Sequence, residues 1–244
     1  MPVAIVTGGS RGLGEALVAG LLERGWSVVT DARDAGVLAA TADHIRATSA
    51  GSRVDATRGG APAGVLVTVP GDVADAAHRR DLVATATALG PLGLIVNNAG
   101  GLGPSPLPNL AGYPLDSLSA LFEVNVTAPL ALIQEGLPAL RAARGVIVNI
   151  TSDAGVEGYP GWGGYGATKA ALDQVSRVLA AEEPEVAVYA IDPGDLRTQM
   201  HQDAFPGEDI SDRPLPATSV PGILAIVEQR PPSGRYRARE QVST

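Results

Sequence analysis

With 244 residues, 45% of them hydrophobic, the chain can bury a full core, and α/β proteins of this length are commonly one domain, so a single domain over residues 1–244 is expected. A net charge of −8 offers no basic face for neutralising many phosphates, which excludes nucleic acid as an expected partner but leaves the one or two local cations that a cofactor phosphate needs. The absence of cysteine excludes disulfides and thiolate chemistry and fits a reducing cytoplasm.

The first element is the apolar run Val3, Ala4, Ile5 and Val6, a buried strand that leads straight into glycines. It lacks the basic start and cleavage site of a leader, and no later stretch approaches the roughly 18 apolar residues needed to span a bilayer, so no membrane partner is expected. Residues 12–24 follow as a helix with Leu13, Leu17, Leu21 and Leu22 on one face, ended by Gly25. The alternation continues with a strand at 28–30, a helix near 37–48, a strand at 65–69, a helix at 74–89 and a strand at 94–97. A long helix over about 115–143 precedes a strand at 146–150, a helix at 165–181 and a strand at 186–191. A helix at 220–228 and a short Arg-rich strand near 234–239 close the chain. Nearly continuous apolar strands alternating with helices predict a Rossmann-like, doubly wound parallel sheet with helices on both faces.

Segments 49–63, 101–114 and 199–216 break the rhythm and read as surface loops. The first is a solvated insertion. The last lies beyond the final long strand, where ligand sites of such sheets open, so residues 199–217 are a candidate substrate lid.

Between the first strand and first helix stand Thr7, Gly8, Gly9, Ser10, Arg11, Gly12, Leu13 and Gly14. Glycines here permit positive φ and close approach of a pyrophosphate to the backbone, while the helix start presents unpaired N–H groups to the anion. The same stretch contains Gly8-Gly9-Ser10-Arg11-Gly12, the pattern of a hydrolase nucleophile elbow. That rival needs a histidine base, and His44 and His78 fall on helices read as solvated, with His201 in the candidate lid.

Further motifs appear in order: Asp72-Val73 after the third strand, Asn97-Asn98-Ala99-Gly100 after the fourth, Asn125 in the long helix, Ser152 after the fifth strand, Tyr165-Gly166-Ala167-Thr168-Lys169, and Pro193-Gly194-Asp195-Leu196-Arg197-Thr198 after the sixth. Together with the glycine loop they resemble the short-chain dehydrogenases/reductases over roughly residues 3–198. The resemblance implies an NAD(P)(H)-dependent oxidoreductase that moves a hydride between a nicotinamide and a ketone or secondary alcohol. It implies that Ser152 hydrogen-bonds the reacting oxygen, with Thr151 the competing hydroxyl. It also implies that Asn125 opens its helix locally and holds a water linking Lys169 to solvent. Cofactor contacts are implied for Gly8, Ser10, Arg11, Gly12, Leu13 and Gly14, for Asp72 and Val73 at the adenine, for Asn98, Ala99 and Gly100 along the adenosine ribose, for Tyr165 and Lys169, and for Pro193, Gly194, Leu196 and Thr198 near the carboxamide. Asn97 reads equally well as a brace between strands.

The chemistry of the pair follows from its spacing. Tyr165 and Lys169 are four apart on one helix and share a face. A free phenol titrates near about 10; a neighbouring ammonium favours its phenolate, so Tyr165 can exchange a proton with an alcohol or ketone oxygen.

Selectivity between NAD and NADP is set after the second strand. In many NAD-preferring relatives the acid falls where this chain has Ala32; Asp31 stands one position early, and adjacent side chains of an extended strand point to opposite faces. Arg33 and Arg11 are the candidates for a 2′-phosphate, and NADP(H) is favoured, with NAD(H) as the alternative. Residues 153–156, Tyr159, Trp162 and residues 200–206, with Leu102 opposite, are candidate substrate walls, Trp162 reading equally well as packing. The family's assembly as a homodimer or homotetramer is expected, although the Asp-Gly-Gly tail that closes many relatives is missing from this sequence. Two other readings are a catalytically silent NAD(P)-binding sensor, which often lacks the tyrosine or lysine kept here, and an isomerase or dehydratase using the cofactor transiently.

Overall fold

The computed structural model describes residues 1–51 and 64–242. Four consecutive apolar residues with no polar alternation need cover on both faces, and β1 (Val3–Val6) has it: all four are fully buried. Six further strands follow: β2 (Ser27–Ala32), β3 (Leu66–Pro70), β4 (Leu92–Asn97), β5 (Val146–Ile150), β6 (Ala187–Asp192) and β7 (Gly234–Arg237). They form one sheet in the order β3-β2-β1-β4-β5-β6-β7, and every pairing is parallel.

The expected doubly wound architecture is therefore present, and its two cores follow from the period-two alternation of the strands. Ala4 and Val6 face α1 (Gly12–Glu23) and α8 (Val220–Gln229), packing with Leu17, Leu21, Ile223 and Leu224. Val3 and Ile5 face the other way, onto Leu82 of α3 (Ala76–Leu89) and Leu132, Ile133 and Leu140 of α5 (Ala128–Ala143). The remaining helices are α2 (Ala35–Gly51), α4 (Leu115–Phe122), α6 (Gly163–Glu182) and α7 (Gln199–Ala204). Strand order reverses beside β1, where β2 runs to one side and β4 to the other, which opens a crevice at the carboxyl ends of the strands.

Several expectations are corrected. The helix expected over 115–143 is present but carries a π-turn at Glu123–Thr127, which divides it into α4 and α5. By length and hydropathy Leu115–Ala143 does pass for a membrane-crossing helix, contrary to the sequence reading, but Leu132, Ile133 and Leu140 are buried against the sheet. Segment 199–216 is not wholly loop, since Thr198 accepts the His201 N–H at 3.2 Å and starts α7. From residue 52 on, the insertion at 49–63 lies outside the described residues.

Candidate active site

The glycine loop is built from beneath. Gly8 and Gly12 adopt φ of +72° and +60°, a region that favours glycine, and a Cβ on Gly14 would overlap the Gly8 carbonyl. Asp31, at the end of β2, holds the entry to the loop twice: its Oδ1 accepts the Gly8 N–H at 2.7 Å and its main-chain oxygen accepts the Gly9 N–H at 2.9 Å. Its Oδ2 lies 2.9 Å from His78 Nε2. The expectation that His78 sits on a solvated face is therefore wrong: it is 6% exposed, and its ring lies where a Gly71 side chain would be, so only glycine admits it. Asp31 itself is 1% exposed and lines the floor of the cleft beside Ala32 and Arg33, with both carboxylate oxygens bonded to protein groups.

Neither the Arg33 nor the Arg11 side chain is engaged in an ion pair or hydrogen bond among the described residues, and both are exposed. No side chain caps α1, so its first N–H groups face the loop unpaired. Asn98 braces the loop from β4, its amide donating to the Thr7 carbonyl at 2.8 Å and the Gly8 carbonyl at 3.3 Å. Asn97 bonds across to Asn149 at 2.8 Å, the strand brace that was one of its two readings.

A cleft of about 1060 Å³ runs from this loop along the carboxyl edge of the sheet. It is lined by Gly8, Ser10, Arg11, Gly12, Leu13, Gly14 and Arg33, then Asp72, Val73, Asn98, Ala99 and Gly100, then Ser152, Tyr165, Lys169, Pro193, Gly194, Leu196 and Thr198. Asn125 lies just behind the wall. The π-turn opens the helix there, as the resemblance implied; the Asn125 amide donates to the Gly101 carbonyl at 2.9 Å and to Thr168 Oγ1 at 3.0 Å, and its Oδ1 accepts the Gly101 N–H at 2.8 Å.

Ser152 follows β5, its Oγ donating to Asp153 Oδ1 at 3.0 Å and accepting the Ala154 N–H at 3.2 Å. Burial pushes the Tyr165 hydroxyl well above its ordinary pKa, with the Asp192 and Asp153 charges adding to it; a hydrogen bond with Ser152 pulls the other way. Thr151, the competing hydroxyl, is buried with its Oγ1 unpartnered among the described residues, and both Thr151 and Ser152 line the cleft. Lys169 is the only lysine among 18 basic residues. Its Nζ donates to the Ile150 carbonyl at 2.8 Å and lies 5.4 Å from the Tyr165 ring centroid. Burial lowers its pKa to about 8, opposed by Asp173.

Beyond Tyr165 the wall is partly apolar, with Asp153, Gln199, His201 and Asp203 among its polar members. Leu102, Leu107, Leu121, Met200 and Phe205 cluster with Trp162, whose ring meets Tyr165 at 5.8 Å and Phe205 at 5.9 Å, so Trp162 packs and lines the cleft together. Ser10 is 8% exposed and hydrogen-bonded to none of the three histidines among the described residues, which leaves the hydrolase elbow without its base.

Comparison with known proteins agrees with this geometry. A family model described as short chain dehydrogenase matches residues 2–209. The chain belongs to the short-chain dehydrogenases. It is an NAD(P)-dependent oxidoreductase of that family. Among curated relatives, this dehydrogenase is 36% identical over 211 residues to a rhamnolipids biosynthesis 3-oxoacyl-[acyl-carrier-protein] reductase of Pseudomonas aeruginosa, covering 81% of this chain and 74% of that one. It is 33% identical over 204 residues to an L-fucose dehydrogenase of Mus musculus, covering 82% and 67%. A short chain dehydrogenase structure from Escherichia coli CFT073, complexed with NADPH, superposes with a TM-score of 0.84 at 27% identity, covering 98% of this dehydrogenase and 96% of that chain.

The sequence reading missed three side chains of this site. His78 carries no motif, and its partner is 47 residues away. Asp192 and Arg235, taken up below, meet only through the parallel pairing of β6 with β7.

Proposed function

We propose that this dehydrogenase interconverts a ketone and its secondary alcohol with NADP(H), Tyr165 exchanging the proton and Lys169 tuning it. The observation that carries the reading is that Ser152, Tyr165 and the buried Lys169 line the same cleft as the glycine loop. The nicotinamide, when bound, gives a hydride to the carbonyl carbon in reduction and takes it back in oxidation. In reduction Ser152 donates a hydrogen bond to the carbonyl oxygen, and Tyr165 delivers the proton that makes it a hydroxyl. Lys169 stabilises the phenolate left behind and is placed to hold the nicotinamide ribose. Asn125 keeps the turn open for a water that returns the proton from solvent.

The chain's own residues fit the dinucleotide. The cradle has no room for a side chain at Gly14, the start of α1 is uncapped, and Arg11 and Arg33 stand unpaired at the rim. NADP is preferred because Asp31 has both oxygens committed inward and cannot grip ribose hydroxyls, whereas Arg33 and Arg11 can grip a 2′-phosphate. Arg33→Ala is expected to raise KM for NADPH about tenfold or more, the loss of one charged phosphate contact, with KM for NADH changing by less than about threefold. Steady-state kinetics with both cofactors checks this, and equal effects would rule it out.

The substrate side, walled by Trp162, Leu102 and Met200 with Phe205 packed behind Trp162, suits a moderately apolar ketone, with α7 and the rest of residues 199–217 acting as its lid. A homodimer through α4 and α6 is supported by the exposed apolar side chains of Leu115 and Val178 on those helices. The deciding experiment is a screen of ketones and secondary alcohols followed by nicotinamide absorbance, with Tyr165→Phe as control. Cofactor binding without turnover of any compound would point to a sensor instead.

A further inference from the structure

We propose that Arg235, on the last strand of the sheet, is a positioning residue for the reacting groups. Its guanidinium holds the Ser152 main chain and the Asp192 carboxylate in place beneath Tyr165 and Lys169. Nη2 donates to the Ser152 carbonyl at 3.0 Å and to Asp192 Oδ2 at 3.4 Å, while Nε donates to Asp173 Oδ2 at 3.1 Å. One side chain thus ties the segment that follows β5, the end of β6 and the middle of α6. These are the three elements that present Ser152, the Pro193–Gly194 turn and the Tyr165–Lys169 pair.

The charge arrangement explains why an arginine stands there. Asp173 lies one turn after Lys169 on α6, with a side chain 2% exposed, and Asp192 has a side chain 7% exposed. Two buried carboxylates need countercharge, and Arg235 is ion-paired with both of them. A planar fork can meet three acceptors in one plane, which a lysine ammonium on a flexible stem does less well. Asp173 Oδ1 remains buried without a partner, so the set has no spare donor to replace Arg235. Asp192 Oδ1 accepts the Gly194 N–H at 2.9 Å, so moving Asp192 also moves the turn that follows it.

The charged groups around Tyr165 are Lys169 and Asp173 on its own helix, Asp153 after β5, Asp192 on β6, Arg235 on β7 and the titratable His201 on α7. Asp192 and Asp153 both favour the protonated phenol, and Arg235 is ion-paired with the first of them.

The inference rests on the proposed roles of Tyr165 and Lys169, and the test separates the two. Because Lys169 is the only lysine, protein labelled with ¹³C-lysine gives one Cε resonance whose titration is read without turnover. Arg235→Met is expected to move that titration, and the alkaline limb of kcat/KM for ketone reduction, upward by about one pH unit, and to lower kcat about tenfold. Arg235→Lys is expected to restore the limb but not kcat, since it returns charge without the fork. Asp192→Asn, which keeps the shape, is expected to move the limb downward; it carries the test if Arg235→Met does not fold. The proposal is overturned if Arg235→Met or Asp192→Asn leaves both the resonance titration and the limb at their wild-type positions, even with a lower Tm. If the resonance moves while Tyr165→Phe still turns over normally, the roles assigned to the pair fail and the positioning of Lys169 stands.

Discussion

Replacing Tyr165 by phenylalanine is expected to lower kcat for ketone reduction by about 10³-fold while changing the cofactor Kd by less than about threefold. A positioned proton donor contributes roughly 10² to 10⁴ in rate, and here no other hydroxyl is placed to take over: Thr151 is buried and Ser152 has no ammonium of its own. The ring stays in the apolar cluster with Trp162 and Leu102, so the fold and the cofactor cradle keep their contacts. Single-turnover kinetics with cofactor titration by fluorescence checks this, and a variant within tenfold of wild type would remove Tyr165 from the proton path. The pH dependence follows the same logic. Reduction consumes a proton held by the pair, so kcat/KM is expected to be level near neutrality and to fall as pH rises past about 8, where Lys169 loses its charge.

Lys169→Met is expected to abolish turnover to a similar extent and to make the protein more stable at neutral pH. Holding an ammonium at about 8 rather than 10.5 corresponds to about 3 kcal/mol against the charged form in the fold. Between those values the unfolded chain carries the proton and the folded chain does not, so wild-type stability rises with pH across that window. Methionine removes this cost and loses one hydrogen bond, to the Ile150 carbonyl, worth about 1 kcal/mol, for a net gain of about 2 kcal/mol. The gain should shrink as pH approaches 10.5. Urea unfolding at pH 7 and pH 10 measures it, and a less stable variant at pH 7 would show that the ammonium is a net structural asset. The cationic lysine is thus kept for chemistry, at a stability cost that the apolar cores absorb.

How much of this was legible in the sequence depended on distance along the chain. β1 and β5 could be placed to the residue because β1 is an uninterrupted apolar run and β5 is β-branched apart from Asn149, with Gly145 before it and Thr151-Ser152 after it. Tyr165 and Lys169 were legible because one helical turn joins them, and the glycine loop because its φ requirements leave a mark in composition. His78 was not. Its helix carries mixed charge, and its burial depends on Asp31 and on the missing side chain of Gly71, neither of which is local. Arg235 was hidden for the same reason, its contacts lying 62, 83 and 43 residues away, so the Arg-rich end looked like surface. Asn125 was found through the resemblance, and no helical periodicity in the residues themselves marks a π-turn there.

That π-turn sets how the stretch tolerates changes of length. It adds one residue to a helical path, so α4 and α5 run out of phase by roughly 100° about their common axis. Only Leu121 of α4 is buried, whereas α5 sends Leu132, Ile133 and Leu140 into the sheet. Deleting a single residue there would let the helix run straight and would rotate all three out of the core. The neighbouring loops can lengthen or shorten at little cost, but between residues 115 and 143 the residue count itself is under constraint, independently of which side chains occupy it.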